Sequence, residues 1–271
     1  CGTFNMGTRL EGKVAVIIGA GCVGPGWGNG RATAFRFVEE GAHVLAVDNS
    51  EAALVETIER VKPLGGTMET HIGDATQSQS VARMIQVCMD RFGRLDVLVN
   101  NVGGSKKGGP VELSEEDWDS QVDFNLKSVF LGCKHALPEL EKDGGGAIVN
   151  IASTSGTRWT GSAQVAYAAT KAGVIQLSKV VAMEYAAKKV RVNAIAPGQL
   201  HTPMVEARLA GQRTGGDVDA LLKQRLARIP LGFMGDGTDT ANTAVFLASE
   251  EARFITGTEI IVDGGMTARC D

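Results

Sequence analysis

Short apolar runs alternate with amphipathic stretches along almost the whole chain. Most of the runs are apolar at consecutive positions, which indicates strands covered on both faces. The predicted strands are Val14–Ile18, Val44–Val47, Glu69–Gly73, Asp96–Asn100, Ala147–Ile151, Val190–Ala196 and Glu259–Val262. Helices are predicted near residues 30–40, 51–62, 78–92, 114–140, 165–188 and 238–250. The alternation predicts an α/β fold: one Rossmann-like, doubly wound sheet of seven parallel strands with helices on both faces.

This pattern runs through residues 10–271, so we expect a single domain there, preceded by an N-terminal extension over residues 1–9. Met6-Gly7 looks like a natural start, which favours a cloning remnant as the origin of the first five residues. Two segments interrupt the alternation: the glycine-rich stretch 103–110 and the long segment 198–232, which is predicted to be partly helical near 217–227. Both follow the carboxyl ends of strands, where open α/β sheets bind ligands, so 198–232 is expected to form a substrate loop.

Composition narrows the function classes. The formal net charge is −4 and no basic run occurs, so neither a nucleic-acid nor an anionic-membrane surface is expected. No apolar stretch approaches the ~20 residues of a membrane span. The five cysteines are widely spaced and form no Cys/His ligand pattern, which favours a reducing cytoplasm and predicts no metal site.

The first predicted strand leads into a glycine-rich segment, 19–30, and then into a helix. Glycines let a backbone approach a diphosphate closely, and a helix N-terminus offers free N–H groups. Asp48 closes the second strand, where an acid can bind adenosine ribose hydroxyls and repel the 2′-phosphate of NADP. This order of elements predicts a dinucleotide site that prefers NAD to NADP. The alternative is a structural glycine turn beside a solvated Asp48.

Tyr167 and Lys171 are four residues apart on a predicted helix, so their side chains share one face. An ammonium beside a phenol favours the phenolate and lowers the tyrosine pKa, which makes a proton shuttle for an alcohol or a carbonyl. The alternative is an amphipathic helix with a surface lysine.

Six motifs in this order resemble those of the short-chain dehydrogenase/reductase family, over nearly the whole chain from Leu10 to Gly265. They are Asp74-Ala75, Asn100-Asn101-Val102-Gly103, Asn125, Ser153, the Tyr167/Lys171 pair and the segment Pro197–Pro203. The resemblance implies an oxidoreductase that interconverts a secondary alcohol and a ketone by hydride transfer. It also implies a small-molecule substrate and a homo-oligomer, expected to be a tetramer, in which the helix of Tyr167 packs against its copy.

The resemblance assigns each catalytic residue a role. Tyr167 is the acid/base, Lys171 lowers its pKa and holds the nicotinamide ribose, Ser153 binds the substrate oxygen, and Asn125 organises a proton-relaying water. The cofactor-binding residues that it implies are Gly19, Gly28, Asn29, Gly30, Asp48, Asp74, Ala75, Asn101, Tyr167, Lys171, Pro197, Leu200 and Thr202. Ser155 remains an alternative to Ser153, because the separation of Ser153 from Tyr167 is about one residue longer than usual.

The glycine-rich turn departs from the family pattern by five surplus residues. We predict that Gly19 leaves the strand, that Asn29–Gly30 opens the helix and faces the diphosphate, and that residues 22–27 loop out. Trp27 would then pack on the adenosine side or against a neighbouring helix. The rival register uses Gly19-x-Gly21-x-x-Gly24; Pro25 opposes it because proline and several glycines would break a helix that began there.

The motifs disfavour two other functions. A catalytically inactive NAD-binding regulator or scaffold is disfavoured by the intact Ser/Tyr/Lys/Asn set, and an enoyl reductase by the four-residue Tyr–Lys spacing. The sequence does not identify the substrate. The residues expected to shape its pocket are Lys106, Lys107, Arg158, Trp159, Gln164 and the range 199–230, with His201 the one histidine near the nicotinamide.

Overall fold

Seven parallel strands form one sheet in the computed structural model, which describes residues 8–270. The strands are β1 (Val14–Ile18), β2 (His43–Asp48), β3 (Met68–Ile72), β4 (Val97–Asn100), β5 (Gly146–Ile151), β6 (Val190–Pro197) and β7 (Glu259–Val262). Their spatial order is β3-β2-β1-β4-β5-β6-β7. The chain starts near the centre, winds to one edge and then returns to build the other half, so the predicted doubly wound topology is confirmed. The proposed cloning remnant lies outside the described residues.

Helices cover both faces, as predicted. They are α1 (Asn29–Glu39), α2 (Glu51–Val61), α3 (Ser78–Phe92), α4 (Glu115–Val122), α5 (Ser128–Lys142), α6 (Val165–Tyr185), α7 (Ala210–Thr214), α8 (Val218–Leu226) and α9 (Gly237–Ala248). Successive strand residues point to opposite faces. Val16 packs in one hydrophobic cluster with residues of α3, α5 and α6, and Ile17 packs in another with residues of α1, α2 and α9.

Three details differ from the sequence prediction. The helix predicted over 114–140 is two helices joined by a π-helical turn, Asp123–Lys127. The helix predicted over 165–188 ends at Tyr185. The edge strands β3 and β7 contain no fully buried residue, and each lies at an edge of the sheet with a neighbouring strand on one side only.

The segment 198–232 is ordered around a small core of its own. It contains a π-helical turn, Val205–Leu209, followed by α7 and α8. Val205, Leu209 and Leu221 are buried together beneath it. Of the helices within residues 8–270, none has both the length and the apolar character that a membrane span requires.

Candidate active site

A cavity of about 1030 Å³ lies at the carboxyl ends of the strands. Residues that end or follow β1 to β6 line it, so it crosses the point where the strand order reverses. Ligands of open α/β sheets bind at such points. Every site residue predicted from the sequence lines this cavity except Asn125, which lies behind it.

The start of α1 packs against the end of β1 more closely than any side chain would allow. A Cβ on Gly30 would lie 1.8 Å from the carbonyl oxygen of Gly19, and the Asn101 side chain donates a 2.7 Å hydrogen bond to that same oxygen. Gly19 itself has a positive φ of 88°, which favours glycine. The helix begins at Asn29, with Gly28 as its N-cap, so the predicted helix start is confirmed.

The surplus residues of the glycine-rich turn are held by Arg31, whose side chain is only 2% exposed. Its guanidinium donates hydrogen bonds to the carbonyl oxygens of Gly24 (3.0 Å) and Gly26 (2.7 Å) and pairs with Glu56 (2.7 Å). Trp27 takes the second of its two predicted positions, against helices. Its ring centroid lies 5.2 Å from that of Phe35 on α1.

Asp48 reaches across the turn at the end of β2. One carboxylate oxygen accepts a hydrogen bond from the Gly21 amide (2.9 Å), and the other accepts one from the Ser50 amide (3.2 Å). A Cβ on Gly21 would lie 2.8 Å from the carboxylate, so this contact requires glycine. The Gly21 amide, which the rival register would use for a diphosphate, is therefore already bonded to Asp48.

Lys171 is a buried cation beside Tyr167. Its ammonium nitrogen donates a 2.8 Å hydrogen bond to the carbonyl oxygen of Ile151 and lies 5.8 Å from the centroid of the Tyr167 ring. Burial penalises the charged form and lowers the Lys171 pKa from 10.5 to about 8. At neutral pH the group is still mostly protonated, so the phenol faces a poorly solvated positive charge.

Asn125 sits in the π-helical turn and is fully buried. Its side-chain oxygen accepts from the Gly104 amide (2.9 Å), and its side-chain nitrogen donates to the Gly104 carbonyl (3.1 Å). A Cβ on Gly103 would lie 2.8 Å from the Lys171 nitrogen and 3.1 Å from the Asn125 oxygen. The two side chains therefore meet at Gly103, and glycine at this position keeps the space between them open.

The hydroxyl of Ser153 is better placed for a ligand than that of Ser155. The Ser155 oxygen accepts a 2.7 Å hydrogen bond from Gln164 and lies 3.1 Å from the Thr160 hydroxyl. The Ser153 oxygen accepts from the Ser155 amide (3.2 Å) and keeps its own proton to donate. This geometry favours Ser153 as the substrate-binding hydroxyl.

The loop after β6 closes the cavity beside these residues. Pro197, Leu200 and Thr202 line it. The Thr154 hydroxyl donates to the Pro197 carbonyl (3.3 Å), and Arg225 on α8 donates to the Leu200 carbonyl (3.1 Å). The loop is thus bonded both to the segment after β5 that carries Ser153 and to helix α8.

Some expected pocket residues lie elsewhere. Arg158 is an exposed side chain that donates to the carbonyls of Thr267 and Arg269, and Trp159 is 72% exposed. Lys106, Lys107 and His201 do not line the cavity either; His201 pairs with Glu206 at 2.9 Å. Gln164 does line it, as expected. Arg208 also lines the cavity and falls within the range 199–230 that was expected to shape it, whereas Phe124 lines the cavity and was not among the expected pocket residues.

The residues present fit a nicotinamide dinucleotide. The side-chain oxygen of Asn29, at the N-terminus of α1, is buried without a hydrogen-bond partner in the described part of the chain. Gly28, Asn29 and Gly30, at the N-terminus of α1, line the cavity, and a helix N-terminus favours an anion. No cluster of three or more metal-binding side chains occurs in residues 8–270.

Known proteins resemble this chain over almost its full length. A family model described as enoyl-(acyl carrier protein) reductase matches residues 25–267. The chain is 40% identical over 260 residues to the 2,5-dichloro-2,5-cyclohexadiene-1,4-diol dehydrogenase LinX of Sphingobium indicum, covering 96% of this chain and 98% of LinX. It is 38% identical over 258 residues to the 3-oxoacyl-(acyl-carrier-protein) reductase FabG of Thermotoga maritima, covering 95% of this chain and 99% of that reductase.

A solved structure gives the same result. A crystal structure from Burkholderia xenovorans, assigned to the short-chain dehydrogenase/reductases, is 61% identical and superposes with a TM-score of 0.94. The match covers 97% of this chain and 100% of the Burkholderia chain.

Proposed function

The chain belongs to the short-chain dehydrogenase/reductase family of oxidoreductases, and on that premise we propose that it interconverts a secondary alcohol and a ketone with NAD as cofactor. The observation that carries the proposal is the buried ammonium of Lys171 beside the Tyr167 ring, at a cavity that Ser153 also lines. A cation in a poorly solvated position stabilises a phenolate. A protein that only binds a dinucleotide has no use for such a group.

Each residue has a defined task when an alcohol is oxidised. The bound nicotinamide supplies the hydride acceptor. Ser153 donates a hydrogen bond to the substrate oxygen and orients it, and Tyr167 accepts the hydroxyl proton on its phenolate oxygen. In the reverse direction Tyr167 returns that proton to the oxygen of the ketone.

Lys171 and Asn125 support the proton transfer. The charge on Lys171 offsets the negative charge that forms on Tyr167, and the contact of Lys171 with Ile151 fixes its position. Asn125 fixes the Gly104 backbone beside Lys171 by two hydrogen bonds, and we expect it to organise a water that relays protons between Lys171 and solvent.

We assign cofactor contacts by the same reasoning. The amides at the start of α1 and the Asn29 side chain would hold the diphosphate, and Asp48 would bind the adenosine ribose. Asp48 lies at the adenosine end of the cavity with its carboxylate fixed by two amides. A 2′-phosphate there would meet a like charge that cannot move away, which is why we propose NAD in preference to NADP.

An enoyl reductase is the function that the matching family model names. The four-residue spacing of Tyr167 and Lys171 disfavours that reaction, because enoyl reductases space this pair more widely. The LinX and FabG relatives are named for an alcohol and a ketone substrate, respectively, which supports the alcohol/ketone proposal.

We also propose that the chain forms a homo-oligomer, expected to be a tetramer. Helices α5 and α6 leave large apolar side chains exposed: Phe130 (49%), Val180 (55%) and Met183 (63%). A second copy would cover them. Light scattering should give a mass above that of one chain, and Val180→Glu should lower it.

The test of the reaction is Tyr167→Phe against Tyr185→Phe, since the chain has only these two tyrosines. A panel of secondary alcohols with NAD is followed by the absorbance of the reduced nicotinamide. Tyr167→Phe should lower kcat by at least about 100-fold, with little change in NADH affinity. Tyr185→Phe should retain activity, because Tyr185 lies at the far end of α6. Near-wild-type turnover by Tyr167→Phe would remove Tyr167 as the base, and NADH binding without turnover of any alcohol or ketone would favour the inactive alternative.

A further inference from the structure

The charges that line the cavity are divided between its two ends. Its three carboxylates, Asp48, Glu56 and Asp74, all come from residues 48–74, the predicted adenosine end. The described lining residues from Asn101 onward include three cations, Lys171, Arg208 and Arg225, and no carboxylate. The substrate end is therefore positively charged although the chain as a whole has a net charge of −4.

Arg208 is the cation at this end without an assigned task. Lys171 bonds to Ile151, and Arg225 bonds to Leu200. Arg208 lies on the π-helical turn Val205–Leu209 and lines the cavity from above. Within the described part of the chain, no acceptor or carboxylate pairs with its guanidinium.

The position of Arg208 relative to the catalytic residues is set by Gly104. A Cβ on Gly104 would lie 3.7 Å from an Arg208 guanidinium nitrogen and 3.3 Å from the Phe124 ring. Asn125 bonds both the amide and the carbonyl of Gly104, and a Cβ on the neighbouring Gly103 would lie 2.8 Å from the Lys171 ammonium nitrogen. Arg208 and Lys171 therefore lie on either side of the Gly103–Gly104 backbone. Arg208 is on the cavity wall that faces the proposed substrate position.

An arginine presents a planar set of donors that matches a carboxylate or a phosphate in bidentate geometry. Arg208 is exposed to solvent, and it lies on the wall of a cavity whose described lining offers no carboxylate at that end. We propose that the substrate carries an anionic group, and that Arg208 binds this group while Ser153 and Tyr167 contact the reacting oxygen. The inference rests on the proposed function and narrows it to hydroxy acids, keto acids or their phosphate counterparts.

A cofactor phosphate is the other possible source of negative charge. The diphosphate is assigned to the start of α1, which follows β1, whereas Arg208 stands beside Gly104 and Phe124 beyond β4. The substrate is therefore the favoured source, and the test separates the two.

The test uses a matched pair of probes, 3-hydroxycyclohexane-1-carboxylate and its carboxamide, which differ in charge but little in shape. Calorimetry measures their affinity for the enzyme with bound NAD, which requires no turnover, and kcat/KM is measured with the same pair. The wild-type protein should prefer the carboxylate by at least about 10-fold in both measurements. Arg208→Gln should remove that preference by raising Kd and KM for the carboxylate, with little effect on the carboxamide, and Arg208→Lys should retain part of it.

Lys223→Gln is the matched control, because Lys223 is an exposed cation of α8 that does not line the cavity. It removes the same charge and should leave the preference intact. The proposal is wrong if the carboxamide binds as well as the carboxylate, if neither binds detectably, or if Arg208→Gln weakens both equally. If Arg208→Gln raises the Kd for NAD measured without a probe, Arg208 binds the cofactor instead of the substrate. Carboxylate binding without turnover would contradict the proposed reaction but not the anion site.

Discussion

The ammonium of Lys171 donates its 2.8 Å hydrogen bond to the carbonyl of Ile151, the last residue of β5. Ser153 follows that strand by two residues, so the bond links helix α6, which carries Tyr167, to the segment that carries Ser153, the proposed substrate-binding serine. The lysine is 2% exposed, and burial lowers its pKa to about 8. The fold therefore holds a cation where water can barely solvate it, and this has a measurable effect on stability.

We expect the free energy of unfolding to rise from pH 8 to pH 10 relative to a Lys171→Met variant. Below pH 8 the folded and unfolded states both bind the lysine proton, so the burial penalty is constant. Between the folded pKa of about 8 and the ordinary value of 10.5, only the unfolded state binds it, and stability increases with pH. The full gain is on the order of 3 kcal/mol.

Urea unfolding of the dinucleotide-free proteins at several pH values checks this prediction. The difference between wild type and Lys171→Met removes the contribution of all other groups that titrate in the range. A difference that stays constant from pH 7 to pH 10 would mean that the pKa of Lys171 is not lowered.

Gly30→Ala should destabilise the protein severely. The new methyl group would lie 1.8 Å from the Gly19 carbonyl oxygen and 2.6 Å from the Asn101 side chain, and a backbone oxygen cannot move aside without breaking the turn. We expect a loss of at least about 3 kcal/mol, within the range of severe packing defects.

Gly211→Ala is the matched control in helix α7, where nothing lies within 4 Å of the added methyl group. It should be neutral or stabilising by up to about 1 kcal/mol. Chemical denaturation of the two variants measures both changes in the free energy of unfolding. Equal stability of the two would refute the close packing of α1 on β1.

Cofactor choice should depend on Asp48. The wild-type protein should have a kcat/KM for NAD at least about 100-fold above that for NADP, since a fixed like charge opposes the 2′-phosphate by several kcal/mol. Asp48→Asn keeps a side-chain acceptor for the Gly21 amide but removes the charge, and should reduce the ratio by at least about 10-fold. Asp119→Asn, an exposed site on α4, controls for the change in net charge. Equal efficiencies of the wild-type protein with both cofactors, at equal ionic strength, would overturn the NAD assignment.

The parts of the site that depend on local sequence were predictable. The strand, the glycines and the helix of the first βα unit are consecutive, so the helix start at Asn29 followed from the last glycine group before the helical run. The Tyr167/Lys171 pair follows from one helical turn. Secondary-structure periodicity also gave all seven strands to within one or two residues at each end.

The parts of the site that depend on contacts between residues distant in sequence could not be predicted. The π-helical turn that carries Asn125 has the same apolar spacing as a continuous helix, so nothing marked it in advance. Arg158 and Trp159 lie near Ser153 in sequence, yet both are exposed at the surface. Arg208 lies in the expected substrate loop 198–232, but no local pattern singled it out there, because it reaches the cavity through the folding of that segment over Gly104.

The surplus residues of the glycine-rich turn depend on Arg31 for their position. Arg31 holds them through two carbonyls and through Glu56, so Arg31→Met should free residues 22–27 and increase their hydrogen exchange. Glu56 is 26% exposed and keeps a second partner in Arg60, so the loss of stability should stay below the roughly 3 kcal/mol expected when a fully buried ion pair is broken.

The effect on cofactor affinity distinguishes the two registers. If Gly28, Asn29 and Gly30 hold the diphosphate, the start of α1 survives the substitution, and the Kd for NADH should change by less than about 3-fold. If Gly21 to Gly24 hold it, loosening that loop should weaken binding by at least about 10-fold, since several amide contacts would be lost. Arg60→Met is the control, because Arg60 also pairs with Glu56 and its guanidinium lies 4.2 Å from the Trp27 ring centroid, yet it makes no contact with Gly24 or Gly26. A large loss in Arg31→Met and none in Arg60→Met would therefore overturn the assignment of the diphosphate to Gly28–Gly30, whereas a mobile loop with intact NADH affinity would support it.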